Sequence, residues 1–369
     1  MVVMSKKPWW GVALVACVLA VLPFVIGAAA GPAWVRVLDF ALLYVLLSLG
    51  LNIVVGYAGL LDLGYVAFYA LGAYLYALCS SPHLTEHFPA IAAMFPGGLH
   101  GPIWLLLPAG ALLAGVFGVL LGAPTLRLRG DYLAIVTLGF GEIIRIFMNN
   151  LYSPVNITNG AQGITQIDGI HVGPVALDRT QHLFGLTVPS LHLYYYLFLA
   201  LVLLIVVVSI RLEDSRIGRA WVAIREDEVA AKACGINTRN VKLLAFAMGA
   251  SFGGVAGGLF AGFQQFVSPE SFQLIDSIMI LAMVVLGGMG HIPGVILGSL
   301  LLTVLPEVFR YAATPVQQAL LGKVVVDPET LRMLLFGLTL VAVMLYRPAG
   351  LWPETRRSRE LEEKRGEKA

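Results

Sequence analysis

The stretch "ALLYVLLSLGLNIVVGYAGLLDLGYVAFYALGAYLYALC" covers Ala41–Cys79 and contains a single charged residue, Asp62. A helix of about 20 apolar residues matches the thickness of a bilayer core. This run is long enough for two passes, which fall at 37–55 and 59–79. They are joined across "GYAGLLDLGY" (56–65) with almost no loop. Working outward with the same criterion, further passes fall at 9–29, 102–122, 132–150, 191–210, 243–266, 273–289, 292–312 and 331–346. The last tight join is "GGMGHIPG" (287–294). The expected fold is all-α: a polytopic transmembrane helical bundle of about 10 spans (8–10), with little room for a soluble domain.

Composition agrees. The 369 residues are 58% hydrophobic and 12% charged, with mean hydropathy +0.84. A soluble domain carries about 25% charged residues. Forty glycines suit helices that approach closely in lipid. The net charge of +2 says nothing about nucleic acid, and no nucleic-acid partner is expected. Cys17, Cys79 and Cys234 are far apart and predict neither a disulfide framework nor a metal site.

Lys and Arg set the orientation. With ten spans and an inside N-terminus, the inner segments are 1–8, 123–131, 211–242 and 347–369. They hold 18 of the 24 Lys and Arg residues. The other six are Arg36, Arg145, Arg179, Arg310, Lys323 and Arg332. Both termini are therefore expected in the cytoplasm of a bacterial inner membrane protein. The first run follows Lys6 and Lys7 and precedes "GAAAG", so it also has features of a signal peptide. Its length favours an uncleaved span. The chain divides into an N-terminal span and linker (1–36), a membrane domain (37–346) and a charged tail (347–369), expected to fray. Two long outer segments, 80–101 and 151–190, are loops, the second with room for short β pieces.

No catalytic signature is present: neither GxSxG, HExxH nor a Walker A sequence occurs. The expectation is a non-enzyme. His83 and His87 are spaced i,i+4, but Pro82 and Pro89 bracket them and no third ligand is evident. Polar residues within spans are costly in lipid and face protein or water. Glu142 with Arg145, and Glu307 with Arg310, are each one helical turn apart. They read either as structural ion pairs or as parts of an outer gate. Asn52, Asp62, Asp131 and Asp276 are further candidates, with Asp131 placed to N-cap span five. Around Asp62, Gly56 and Gly59 suggest a helix break. Such a break is tolerated beside protein or a water-filled cavity, so 56–65 reads as a tight turn or as part of a pathway.

The inner loop 211–242 contains "AIREDEVAAKACGI" (Ala223–Ile236). Glu226, Asp227 and Glu228 suit a helix N-terminus. Ala230, Ala231 and Ala233 favour helix, and Gly235 is placed as a C′ cap. The prediction is one short helix over 226–234. Alone it is too short to be stable in water, so it needs a docking surface. Its acidic opening favours a protein partner over lipid headgroups.

These residues resemble a family. "AIREDEVAAKACGINTRNVKLLAFAMGASFGGVAGGLF" (223–260) is similar to the cytoplasmic loop and following span of branched-chain amino acid ABC importer permeases. The Glu228–Ala231 run with Gly235 resembles the loop by which importer permeases engage their ATPases. Similar stretches are "GLNIVVGYAGLLDLGYVAFYALGAY" (50–74), "LRGDYLAIVTLGFGEIIRI" (128–146), "ITNGAQGI" (157–164) and "VVLGGMGHIPGVILG" (284–298). The likeness is strongest to the longer of the two permeases in that importer. It implies a second permease, two cytosolic ATPases that use ATP, and a periplasmic binding protein delivering Leu, Ile or Val. It implies no cofactor on this chain, and a coupling role for Arg225, Glu226, Asp227, Glu228, Ala230, Ala231 and Gly235.

Urea and short-chain amide importers use similar permeases and remain an alternative, because pathway amides such as Asn52, Gln264 and Gln265 do not specify a substrate. A proton- or sodium-coupled transporter would want unpaired buried carboxylates, whereas Glu142 and Glu307 each have an Arg nearby. A non-transport membrane subunit is the third reading.

Overall fold

The computed structural model describes residues 9–352, apart from 96–97, 126–127, 129, 174, 184–185, 322–326 and 348–349. The expected fraying of the tail concerns residues largely outside that set. In chain order the helices are α1 (Trp9–Ala30), α2 (Pro32–Leu51), α3 (Val66–Cys79), α4 (His83–His87), α5 (Pro89–Met94), α6 (Ile103–Thr125) and α7 (Asp131–Asn150). They continue with α8 (Ser190–Glu213), α9 (Arg216–Glu226), α10 (Glu228–Ala233), α11 (Thr238–Gln264), α12 (Leu274–Gly287), α13 (Ile292–Leu321) and α14 (Pro328–Tyr346). Each of the ten apolar runs overlaps a helix, the third only from Val66 onward. Six helical stretches among the described residues are long and apolar enough to cross a membrane: Pro32–Tyr57, Ile103–Thr125, Ser190–Glu213, Thr238–Gln264, Pro269–Gly287 and Ile292–Ala313.

α11 is the central post. It packs against α2, α3 and α6 through a small-residue face. A Cβ on Gly72 of α3 would lie 2.0 Å from the Gly254 carbonyl oxygen, and one on Gly254 would lie 2.3 Å from that of Gly110. Backbone therefore meets backbone, which explains the glycine content. Tyr65, Phe68, Tyr74, Tyr195, Phe198 and Phe246 fill the remaining interior. Leu105, Leu112 and Leu120 of α6, Ile135, Ile143 and Phe147 of α7, and Leu204 and Val207 of α8 are exposed. Apolar rows on the outside of a satisfied helical backbone are the surface that lipid requires. The chain is a multi-pass membrane protein.

The structure corrects the expected third span. Helix does not resume at residue 59. α2 runs into a π-helical turn, Asn52–Tyr57, and α3 begins at Val66. Gly59 adopts φ +68°, which a side chain rarely tolerates. The freed backbone groups find specific partners. Leu60 N–H donates to the Val54 carbonyl (3.0 Å), Leu63 N–H to Thr137 Oγ1 (3.0 Å), Gly64 N–H to Asp62 Oδ1 (2.9 Å) and Val66 N–H to Ser277 Oγ (3.0 Å). The break is thus protein-lined on these sides and tolerated at this depth.

Asp131 is not the N-cap of its helix. Gly130, at φ +56°, holds that position, and Asp131 is the first helical residue, where its charge still suits the helix dipole. The loop 80–101 contains the short helices α4 and α5. The loop 151–190 carries two small hairpins, pairing His171–Val172 with Val175–Ala176 and Gln181–Leu183 with Leu186–Val188. It is pinned to the end of α11 by the Ile164–Val267 bridge.

Candidate coupling site

At the end of the bundle where α8 finishes, Ser215 caps α9 by accepting from the Ile217 and Gly218 amides. α9 is amphipathic. Gly218, Trp221 and Ile224 face inward, and fully buried Trp221 donates from Nε1 to the Val241 carbonyl at 2.7 Å. The single helix predicted over 226–234 is in fact the junction of two. Asp227 terminates α9 in extended conformation (φ −152°, ψ 110°) and its carboxylate N-caps α10, accepting from Val229 N–H (2.8 Å) and Ala230 N–H (3.0 Å). The acid side chain supplies what the first turn of a helix lacks, so the chain bends there and restarts.

Gly235 closes α10 as expected. At φ +86° it permits Ile236 N–H to reach the Ala231 carbonyl and its own N–H to reach that of Lys232, the paired bonds of a Schellman cap. Glu228 pairs with Lys242 of α11 at 2.8 Å, the lysine side chain being 7% exposed. Ala231 is buried against the protein. Glu226, Asp227, Val229, Ala230 and Lys232 are exposed, so the outward face mixes charge with an uncovered Val229.

α9 grips the break between α2 and α3. The Arg225 guanidinium donates from Nη1 to the Gly56 carbonyl. A Cβ on Gly59 would lie 2.8 Å from Arg225 Cγ. The Tyr57 hydroxyl donates to Glu213 Oε2 at 3.1 Å. On the other side of the π-turn, buried Asn52 accepts from Gly290 N–H through Oδ1 at 2.9 Å, which ties it to the tight join between α12 and α13. The chain after α14 returns to the same join, where Leu351 N–H donates to the Leu286 carbonyl at 2.7 Å. The structure thus brings Arg225, Gly56, Gly59 and Asn52 into one assembly. Asp62 lies in the same break, fully buried, and its Oδ2 has no hydrogen-bond partner.

The two ion pairs lie toward the opposite end. Glu142 and Arg145 meet at 3.0 Å, and Arg145 also approaches Glu270 at 3.7 Å, which links α7 to the turn before α12. Glu307 and Arg310 meet at 2.7 Å, and Glu307 borders a cavity among α2, α12, α13 and α14. At that end the His83 and His87 rings are 4.3 Å apart. Burial, with the neighbouring His87, pushes the His83 pKa down.

Sequence reasoning missed Asp39. It is fully buried in α2 with both carboxylate oxygens unpartnered, and its signal was an acid two residues inside a predicted span. It also missed Tyr57 and Lys242 as tethers, because their partners are distant in the chain.

The family profile described as "Branched-chain amino acid transport system / permease component" matches residues 33–344. The chain is 41% identical over 334 residues to the high-affinity branched-chain amino acid transport system permease protein LivM of Escherichia coli, covering 87% of this chain and 70% of that protein. It is 28% identical to the probable branched-chain amino acid transport permease protein LivM of Methanocaldococcus jannaschii, covering 85% of this chain and 91% of that one. Similarity extends to LivH of Salmonella typhimurium at 26% identity, over 71% of this chain and 80% of LivH. No solved structure matches.

Proposed function

Because the chain belongs to the family of branched-chain amino acid transport permeases, we propose that it is one membrane subunit of an ATP-driven importer for Leu, Ile and Val. It pairs with a second permease. Two cytosolic ATPases dock on α9 and α10, and a periplasmic binding protein delivers substrate to the opposite end. The termini lie in the cytoplasm of an inner membrane. ATP is consumed by the partners, and this chain binds no cofactor.

The observation that carries the coupling role is the Arg225 guanidinium seated on the Gly56 carbonyl. A push on the exposed face of α10 reaches α9 through the Asp227 joint. Arg225 then loads the π-turn, whose i→i+5 bonding is a sparsely used alternative to α-helix. Asn52 and Gly290 pass the shift to the join of α12 and α13. A charge-assisted hydrogen bond to a carbonyl suits this task, being stronger than a neutral one.

The test uses the assembled transporter with its binding protein. Arg225→Ala is expected to keep the ATPases bound and hydrolysing while import of labelled leucine falls at least about ten-fold. Glu228→Lys and Gly235→Pro are expected to reduce ATPase co-purification. Unchanged import in Arg225→Ala, or unchanged co-purification and import in both other variants, overturns the coupling role. An uptake panel of leucine, valine, urea and acetamide decides the substrate class.

A further inference from the structure

The cavity bordered by Glu307 has a volume of about 510 Å³ and is walled by α2, α12, α13 and α14. It occupies the half of the bundle away from α9 and α10. Its floor is apolar and closed: Met283 is 0% and Leu302 1% exposed. Its mouth carries Ile275, which is 59% exposed. Met279 and Phe336 line the walls. A volume of several hundred Å³, apolar walls and a few polar groups are the usual features of a small-molecule site.

The polar groups are differentiated. Glu307 is occupied by Arg310 at 2.7 Å. Asp276 accepts one backbone bond, from Gln273 N–H at 3.0 Å through Oδ2. A carboxylate has about four acceptor positions, so Asp276 keeps capacity for a cationic donor. Tyr44 lines the same space, and a tyrosine hydroxyl can donate to an anion. An acceptor for an ammonium, a donor for a carboxylate and an apolar floor form the complement of a free aliphatic α-amino acid.

We propose that this cavity is a substrate site, with Asp276 receiving the α-ammonium, Tyr44 donating to the carboxylate, and Met279, Met283 and Phe336 enclosing the aliphatic side chain. The site deepens the import function proposed above and rests on it. It lies directly over the buried contacts of Met283, Leu286 and Leu302, which bar passage toward the Gly287–Gly294 join. Substrate would wait here until the join moves.

The experiment places a cysteine at the wall, Met279→Cys, in the assembled transporter purified with its partners. The rate of maleimide labelling is compared with that of the parent, which carries the three native cysteines. Saturating leucine or valine is expected to slow labelling at least about five-fold. Isocaproate, which has leucine's carbon chain but no amine, is expected to leave the rate unchanged. Asp276→Asn retains the cap acceptor but loses the charge, and is expected to raise the KM for leucine import at least about ten-fold. If Met279→Cys fails to assemble, Ile275→Cys at the mouth serves as reporter. Labelling unaffected by leucine, protection by isocaproate equal to that by leucine, or an unchanged KM in Asp276→Asn overturns the assignment. If the parent imports leucine, that failure leaves the import function standing. If the parent imports no aliphatic amino acid, the function falls first.

Discussion

Replacing Gly56 by alanine should separate a structural π-turn from a merely convenient one. The new methyl carbon would lie 2.0 Å from Asn52 Oδ1 and 2.7 Å from Gly290 N. Ordinary contact begins near 3.4 Å, so something must move. If the backbone shifts, overpacking costs about 1–3 kcal/mol. If Asn52 swings away, Gly290 N–H loses its 2.9 Å acceptor, and a buried unpaired donor costs about 1–3 kcal/mol. Either route costs about 1–3 kcal/mol, seen as a fall of several degrees in the thermal unfolding midpoint of the detergent-purified protein. Gly139→Ala is the control, since nothing lies within 4 Å of its Cβ position; its midpoint should not fall. Asn52→Ala removes the closest obstacle, so the double variant should lose less than the two single losses added together, by at least about 0.5 kcal/mol. A Gly56→Ala protein that unfolds with the parent refutes the claimed closeness of Asn52 and Gly290 to the turn.

Other perturbations have defined outcomes. Glu228→Gln leaves the Lys242 ammonium, 7% exposed, without its counter-charge; about 1–3 kcal/mol of local stability should be lost, read as faster amide exchange across 228–242. Gly235→Ala forces a side chain into φ +86° with open space around it, so its cost of about 1 kcal/mol is purely conformational and shows as fraying of α10 by proteolysis. Gly72→Ala places a methyl 2.0 Å from the Gly254 carbonyl oxygen, between two backbones that cannot turn aside, and should abolish recovery of folded protein from membranes.

Most of the bundle was legible because lipid imposes one requirement, a long apolar helix, and six helical stretches among the described residues meet it. The cap at Gly235 was legible because its signals are local. What escaped reading depended on distant partners. Asp227 looked like one of three acids opening a helix; its carboxylate caps a second helix because α9 has its own buried face around Trp221. The break at 56–65 was visible from its glycines and Asp62, but its extent was set by Thr137 and Ser277, which reach across from α7 and α12. Arg225 stood out as a charge beside an acidic cluster, and nothing nearby in the chain named the Gly56 carbonyl as its target. Of the pathway candidates, Asn52, Gly56 and Gly59 converge with it, whereas the two ion pairs lie toward the other end.

The glycine face of α11 also sets where the protein can deform. Side chains give a packed interface compliance, since rotamers can exchange as helices slide. An interface made of main chain alone has no such freedom. Gly72, Gly110 and Gly254 therefore weld α3, α6 and α11 into a block that must travel as a unit. Any stroke is left to elements outside that block, α9 and α10 among them, and the π-turn Asn52–Tyr57 is tied to the 287–294 join by the Asn52–Gly290 bond.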